Sequence, residues 1–162
     1  MKLISYHQQG FTLIELVMVV VLIGILSYGA TSLFASKSTY AEYLAKEQLI
    51  SQGLLAQQVA LGMSATKAPV SLVISRSGAG QTAFSLVKAG QAPLVELLDE
   101  SLASPLIDGA TLANGSNYTF IWNSNAALSD NANHEVRFVG DRTYRVCFSA
   151  SGYVYESQAV CP

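Results

Sequence analysis

The feature that most limits how this chain can fold is an uncharged, mostly aliphatic run near its N-terminus. The run covers nineteen residues, 16–34, and directly follows a single carboxylate at Glu15. A helix of this length rises roughly 28 Å, close to the thickness of the hydrocarbon core of a bilayer. Its aliphatic side chains cover every face, which is typical of a helix buried in lipid or in a bundle of helices. We therefore predict that residues 11–36 form a transmembrane segment.

A secretory signal peptide and a plain signal anchor are two ordinary explanations of this apolar run. A secretory signal peptide has an apolar region of roughly 7–15 residues followed by a small-residue cleavage site. Here the run is longer, and residues 30–32 make only a weak cleavage site. A plain signal anchor is the second explanation. Lys2 and Lys37 lie on opposite sides of the run, so the distribution of positive charge favours a cytoplasmic N-terminus only mildly.

The residues around Glu15 indicate a third explanation. Residues 10–16 read Gly-Phe-Thr-Leu-Ile-Glu-Leu and lead into the aliphatic run. This pattern resembles the prepilin signature of type IV pilins, type II secretion pseudopilins and related filament subunits. The resemblance implies that a prepilin peptidase cuts between Gly10 and Phe11 on the cytoplasmic side and methylates the new amine of Phe11.

The resemblance also implies how the chain is divided. Residues 1–10 would be a leader peptide, residues 11–36 the transmembrane and assembly half of a long helix, and residues 37–62 its amphipathic half. Residues 63–162 would form a periplasmic, β-rich domain. The fold class we predict is α+β and type IV pilin-like, with the long helix packed on a small antiparallel β-sheet.

A carboxylate within a membrane helix costs a few kcal/mol and calls for a named partner. Cleavage after Gly10 would create one, the amine of Phe11, whose ordinary pKa is near 8. Phe11 and Glu15 are four residues apart and share a helix face. The charge could be met within one subunit or, as the resemblance implies, by the Phe11 amine of the next subunit, so that Glu15 sets the assembly register. The alternative is a carboxylate that reaches the headgroups.

Residues 37–62 alternate apolar and polar side chains at three- and four-residue steps, which predicts an amphipathic helix. We expect it to continue the first helix as one rod and to pack its apolar stripe on the sheet. The stripe consists of Tyr40, Tyr43, Leu44, Ile50, Leu54, Leu55, Val59 and Leu61.

The remaining chain favours strands, with turn signals between them. Pro93–Ala103 instead has the spacing of leucines expected of a short helix. The last three strands should form a meander, with Val136, Phe138, Tyr144, Val146 and Phe148 facing the helix. The predicted strands are 70–75, 83–87, 118–122, 135–139, 143–148 and 153–156.

Two cysteines, Cys147 and Cys161, lie near the C-terminus. They fit a single disulfide, which would require an oxidising compartment, and two free cytosolic thiols are the alternative. In pilins a C-terminal disulfide encloses an exposed loop that makes contacts, and this pair resembles it.

No catalytic constellation is apparent. The two histidines are His7, which cleavage would remove, and His134, which we interpret as solvated. No phosphate loop and no metal-ligand spacing of His or Cys occurs, and residues 130–135 offer oxygen ligands but fail the calcium-loop pattern. The net charge of −2 gives no basic footprint for nucleic acid. We predict a protein that is not an enzyme and uses no cofactor or metal.

The predicted function is that of a structural subunit of a type IV pilus-like filament, or fimbrium. Many major pilins carry a proline where this chain has Ser32, which favours a minor pilin. A mannose-sensitive haemagglutinin-type pilus, with a role in cell adhesion, is one candidate system. A type II secretion pseudopilin is an alternative, and a membrane-tethered periplasmic binding domain is an alternative of a different class.

The resemblance implies partners and a location as well. The partners are other pilin subunits, the prepilin peptidase, an inner-membrane platform protein and an assembly ATPase. The location is the bacterial inner membrane, crossed once with the N-terminus cytoplasmic and the C-terminal domain periplasmic, and afterwards the pilus filament.

Overall fold

The computed structural model describes residues 12–34, 37–63, 69–98 and 104–162. The chain divides into two compact units, Met1–Lys37 and Ser38–Pro162. Among the described residues, the first unit contains one helix, and the second contains nearly all of another helix together with the strands.

Helix α1 extends over Leu13–Phe34 and contains the whole aliphatic run, residues 16–34. Its large apolar side chains between Leu13 and Leu26 are each at least 45% exposed. Among the described residues, no helix meets the combined requirements of length and hydropathy for crossing a membrane. The prediction that 11–36 spans a membrane is therefore not confirmed, and residues 11, 35 and 36 lie outside the described part of the chain.

Helix α2 extends over Lys37–Gly62. The predicted continuous rod depends on residues 35–36, which are outside the described residues, so it stays a prediction. Ile50 and Val59 of the predicted packing stripe do pack against the core. The prediction is wrong for five of its other large members, which are solvent-exposed. They are Tyr40, Tyr43, Leu44, Leu55 and Leu61.

The face of α2 that packs on the sheets consists mainly of small residues instead. Its apolar members are Ala41, Ala45, Leu49, Ala56 and Ala60. Gly53 shows why: a Cβ built there would lie only 2.7 Å from Cγ2 of Val154. At this separation the packing face is selected by side-chain size more than by hydropathy, since larger residues would overpack the contact.

Two antiparallel sheets form the rest of the second unit, where one small sheet was predicted. The first has the order β3-β2-β1-β6 and the second β5-β4-β7-β8-β9. The strands are β1 Val70–Arg76, β2 Thr82–Lys88, β3 Leu94–Leu97, β4 Leu106–Ile107, β5 Ala110–Thr111, β6 Asn117–Trp122, β7 His134–Val139, β8 Thr143–Phe148 and β9 Val154–Ser157. All six predicted strands, including the terminal meander, are confirmed to within one residue at each end.

The predicted helix Pro93–Ala103 is wrong over its first half, and residues 99–103 lie outside the described residues. Strand β3 pairs with β2, and the N–H of Leu98 donates to the carbonyl oxygen of Thr82 at 3.0 Å. Buried backbone groups along an edge of β2 require partners. This tertiary pairing outweighs the helical spacing of the leucines.

The short hairpin of β4 and β5 was not predicted. Asp108 and Gly109 connect its strands, with φ angles of 51° and 83°. Two consecutive positive φ angles are what a two-residue hairpin turn requires, and Asp-Gly is a common sequence for it. The signal was therefore present in the sequence.

The two sheets share one hydrophobic core. The Phe120 and Phe148 rings stack with centroids 4.0 Å apart, and Trp122 Nε1 donates to the carbonyl oxygen of Gly152 at 2.9 Å. Gly152 has a φ of 84°, and a Cβ there would collide with the carbonyl oxygen of Ala126. The predicted facing of the meander is confirmed, since Val136, Phe138, Val146 and Phe148 are buried while Tyr144 is half-buried against Tyr43 of α2.

The predicted disulfide between Cys147 and Cys161 is present. It fixes the C-terminal tail to β8, where Arg145 Nη1 also donates to the carbonyl oxygen of Gln158 at 3.1 Å. Asn133 Nδ2 donates to a carbonyl oxygen of Pro162 at 2.7 Å. Closing a loop of this size stabilises a fold by roughly 3 kcal/mol.

The contact between α2 and β9 can be tested by adding one methyl group. Gly53→Ala is expected to lower the free energy of unfolding by up to about 2 kcal/mol. Overpacking costs about 1–3 kcal/mol, and the better helix propensity of alanine offsets only about 1 kcal/mol. Thermal unfolding of the full chain in detergent, followed by near-UV circular dichroism, measures the change.

Gly62→Ala is the matched control, because nothing lies within 4 Å of a Cβ at that position. It should leave the unfolding temperature unchanged or slightly raised. Equal effects of the two substitutions would contradict the close packing of α2 on β9.

Candidate functional site

The first site surrounds the start of α1. The backbone N–H and the hydroxyl of Thr12 each donate to Oε2 of Glu15 at 2.9 Å, and the N–H of Glu15 donates to Thr12 Oγ1 at 3.3 Å. This reciprocal arrangement is a capping box, in which the two side chains satisfy backbone donors that the helix leaves unpaired. Thr-x-x-Glu before an apolar run is the sequence signature of such a box, although no capping role was predicted for Glu15.

The structure therefore gives Glu15 a partner other than the predicted one. Gly10 and Phe11 lie outside the described residues, so the predicted cleavage site and the predicted amine partner stay predictions. Both bonds from Thr12 end on the same oxygen of Glu15. Since a carboxylate can accept about four hydrogen bonds, capping leaves capacity for a cationic partner.

The second feature is a set of large apolar side chains that are exposed to solvent in the single chain. The large side chains of α1 from Leu13 to Leu26 are exposed around the helix, and α2 exposes Tyr40, Leu44, Leu55 and Leu61. Removing apolar surface from water is worth about 25 cal/mol per Å². Extended surface of this kind marks a site of interaction with protein or lipid.

The third feature is a polar cluster around His134, whose side chain is only 11% exposed. Its Nδ1 lies 2.7 Å from Oδ2 of Asp108, and its Nε2 lies 2.7 Å from Oδ2 of Asp130. The interpretation of His134 as solvated is therefore wrong. Asp108 belongs to the hairpin of β4 and β5, which was not predicted, so the contact between Asp108 and His134 was not predicted either.

Burial lowers the pKa of His134, but its hydrogen bonds to Asp108 and Asp130 and their negative charges outweigh burial and raise the pKa above its ordinary 6.5. Burial also raises the pKa of Asp130, while the hydrogen bonds from His134 and the N–H of Ala132 outweigh it and lower the pKa below 3.8. The cluster thus stabilises the fold most between about pH 3.8 and pH 6.5, the ordinary pKa values of Asp130 and His134.

In the 130–135 segment, which was considered above as a calcium site, side-chain oxygens of Asp130 and Asn133 accept hydrogen bonds from protein donors. Asp130 accepts from the N–H of Ala132 at 3.2 Å in addition to its contact with His134. Oδ1 of Asn133 accepts from the N–H of Ala150 at 2.7 Å. Within the described residues, no group of three or more His, Cys, Asp or Glu side chains is placed to hold a metal ion.

The His134 cluster predicts a specific pH dependence of stability. A group with a raised pKa in the folded state contributes its full stabilisation below its unfolded-state pKa and loses it as pH rises through the folded-state pKa. The free energy of unfolding of the wild type should therefore exceed that of His134→Gln most below about pH 6.5, and the difference should shrink on going to alkaline pH. Urea titrations at several pH values measure it.

His7→Gln in the same unprocessed chain is the control, and it should keep the wild-type profile. A difference between wild type and His134→Gln that stays constant from acid to alkaline pH would contradict a charged His134 between the two aspartates.

Comparison with known proteins gives one match. A protein-family model described as the prokaryotic N-terminal methylation motif matches residues 5–30. This range contains Gly10, Phe11, the capping box and most of α1. No curated protein and no solved structure matches the chain. The chain carries the N-terminal signature of type IV pilins and pseudopilins.

Proposed function

We propose that this chain is a non-catalytic, structural subunit of a type IV pilus-like filament. The observation that carries the proposal is the methylation motif at residues 5–30 together with helix α1, whose apolar side chains from Leu13 to Leu26 are exposed around its circumference. An all-round apolar helix needs lipid or other helices as its surroundings. A filament with a core of such helices, one from each subunit, supplies that environment.

Processing would prepare α1 for assembly. Hydrolysis of the peptide bond between Gly10 and Phe11 by a prepilin peptidase gives Phe11 a free amine, and methylation leaves that amine basic. Glu15, one helical turn further on, can receive it on the oxygen positions that Thr12 does not use. In an apolar core an unpaired carboxylate is costly, so pairing with the amine of a neighbouring subunit would favour one axial register.

Helix α2 would add further contacts. Because its small residues face the sheets, its larger apolar residues, among them Leu44, Leu55 and Leu61, face outward. These side chains are available to neighbouring subunits, whereas a tethered monomeric domain has no evident use for them. This outward face supports a filament subunit over the alternative of a membrane-tethered periplasmic binding domain.

The location we propose is the bacterial inner membrane, with the C-terminal domain in the periplasm, followed by the filament. The disulfide between Cys147 and Cys161 supports an oxidising compartment for that domain. A platform protein and an assembly ATPase would extract the subunit. Ser32, in place of the proline of many major pilins, supports a minor pilin, and a secretion pseudopilin with the same signature is the second candidate.

The role of Glu15 can be separated from its capping bonds. Glu15→Gln keeps a side-chain oxygen that can accept from Thr12 but removes the negative charge. If the charge sets the register, incorporation into filaments should fall by at least about tenfold, because charge-assisted hydrogen bonds contribute 1.5–3 kcal/mol. The measurement is the amount of the protein in filaments sheared from cells, relative to the amount in membranes.

Two further variants test the need for cleavage and provide its control. Gly10→Val should block cleavage and abolish incorporation, and Gln9→Ala should do neither. If Glu15→Gln forms normal filaments, Glu15 acts only as a helix cap. Filaments that contain uncleaved Gly10→Val would contradict the pairing of Glu15 with the amine of Phe11, because that amine would not exist.

A further inference from the structure

A cleft with aromatic walls opens within the second unit, at the start of α2. It has a volume of about 430 Å³ and is lined by Tyr40, Tyr43, Tyr144 and Arg142. Tyr40 and Tyr43 come from the first turns of α2, Tyr144 from the beginning of β8, and Arg142 from the turn between β7 and β8. None of these side chains is used by the packing of the hydrophobic core.

Two of the three aromatic walls, Tyr43 and Tyr144, are held in place before any ligand binds. The rings of Tyr43 and Tyr144 meet edge to face, with centroids 5.9 Å apart. Lys46 Nζ lies 4.4 Å from the centroid of Tyr43 and 5.4 Å from that of Tyr144. A ligand that packs on these rings therefore loses little affinity to the ordering of side chains.

Lys46 itself is fixed and does not line the cleft. Its side chain is 3% exposed, and its ammonium lies 2.8 Å from carboxylate oxygens of both Glu47 and Glu156. The rings of Tyr43 and Tyr144 thus already have a cation–π partner within the protein, the ammonium of Lys46. The carboxylates of Glu47 and Glu156 offset the charge of this ammonium, so the charge that faces the cleft is that of Arg142.

The charge at the cleft favours an anion. Arg142 is exposed and is the one charged side chain among the described residues that line it. Glu42 lies nearby, in the space that a Cβ of Gly140 would fill, but it is 5% exposed and does not line the cleft. A guanidinium matches the geometry of a carboxylate, which it can bind through two parallel hydrogen bonds.

We propose that this cleft binds a hexuronic-acid residue of an acidic polysaccharide. The carboxylate of the sugar lies on Arg142, the apolar face of the sugar ring packs against tyrosine rings, and the phenol groups offer hydrogen bonds to the sugar hydroxyls. Aromatic walls with a small number of placed polar groups are typical of small-ligand sites. This inference goes beyond the proposed filament role and does not depend on it.

The test compares trigalacturonic acid with its methyl ester on the full-length chain in detergent, using isothermal titration calorimetry. The acid should bind saturably, and the ester, which lacks the charge, at least about tenfold more weakly. Arg142→Gln should weaken binding of the acid by about the same factor and leave binding of the ester unchanged. Tyr40→Ala, at a position that is 63% exposed, should weaken binding of both.

Matched variants elsewhere on the domain complete the design. Lys88→Gln removes one positive charge and Tyr153→Ala removes one exposed tyrosine, and neither should alter binding of either ligand. The proposal is overturned if the acid shows no saturable binding up to about 10 mM, or if acid and ester bind equally. It is also overturned if Arg142→Gln and Tyr40→Ala change only self-association of the chain, because the cleft would then be a contact between copies.

Discussion

The structure of residues 38–162 depends on how closely α2 can approach the sheets. At Gly53 the helix backbone lies so near Val154 that a single added Cβ would be 2.7 Å from a methyl carbon. The alanines on the same face keep this distance along the helix, so the interior contact uses small residues. The larger apolar residues of α2 must then face outward. The close packing inside the domain therefore leaves apolar side chains on its surface for contacts in the proposed filament.

The start of α1 shows how one residue can serve two purposes. Glu15 completes a capping box with Thr12, which stabilises the first turn of a helix. Its carboxylate retains acceptor capacity for a cation, which is what the proposed register requires. A capped helix also holds the carboxylate in a defined position beside the helix end, so a partner amine would meet a pre-arranged acceptor. Local structure and proposed assembly are therefore compatible at this residue.

The sequence predicted those elements whose signals are local. Alternation of apolar side chains located β7 and β8, turn residues separated the strands, and Cys147 and Cys161 could form only one pair. Features set by tertiary contact were missed. The leucines at 94–98 follow helical spacing, but pairing with β2 makes them a strand. The stripe around Tyr43 and Leu55 is apolar, but the close approach at Gly53 turns it outward. His134 seemed solvated because its partner Asp108 lies 26 residues away in the chain.

The most direct test of the filament account is the intact mass of the protein from membranes and from filaments sheared off the same cells. The account predicts a chain that begins at a methylated Phe11, lacks two hydrogens because of the Cys147–Cys161 disulfide, and occurs in both fractions. A mass that retains residues 1–10, in a protein confined to the membrane fraction, would contradict it and favour a tethered periplasmic domain.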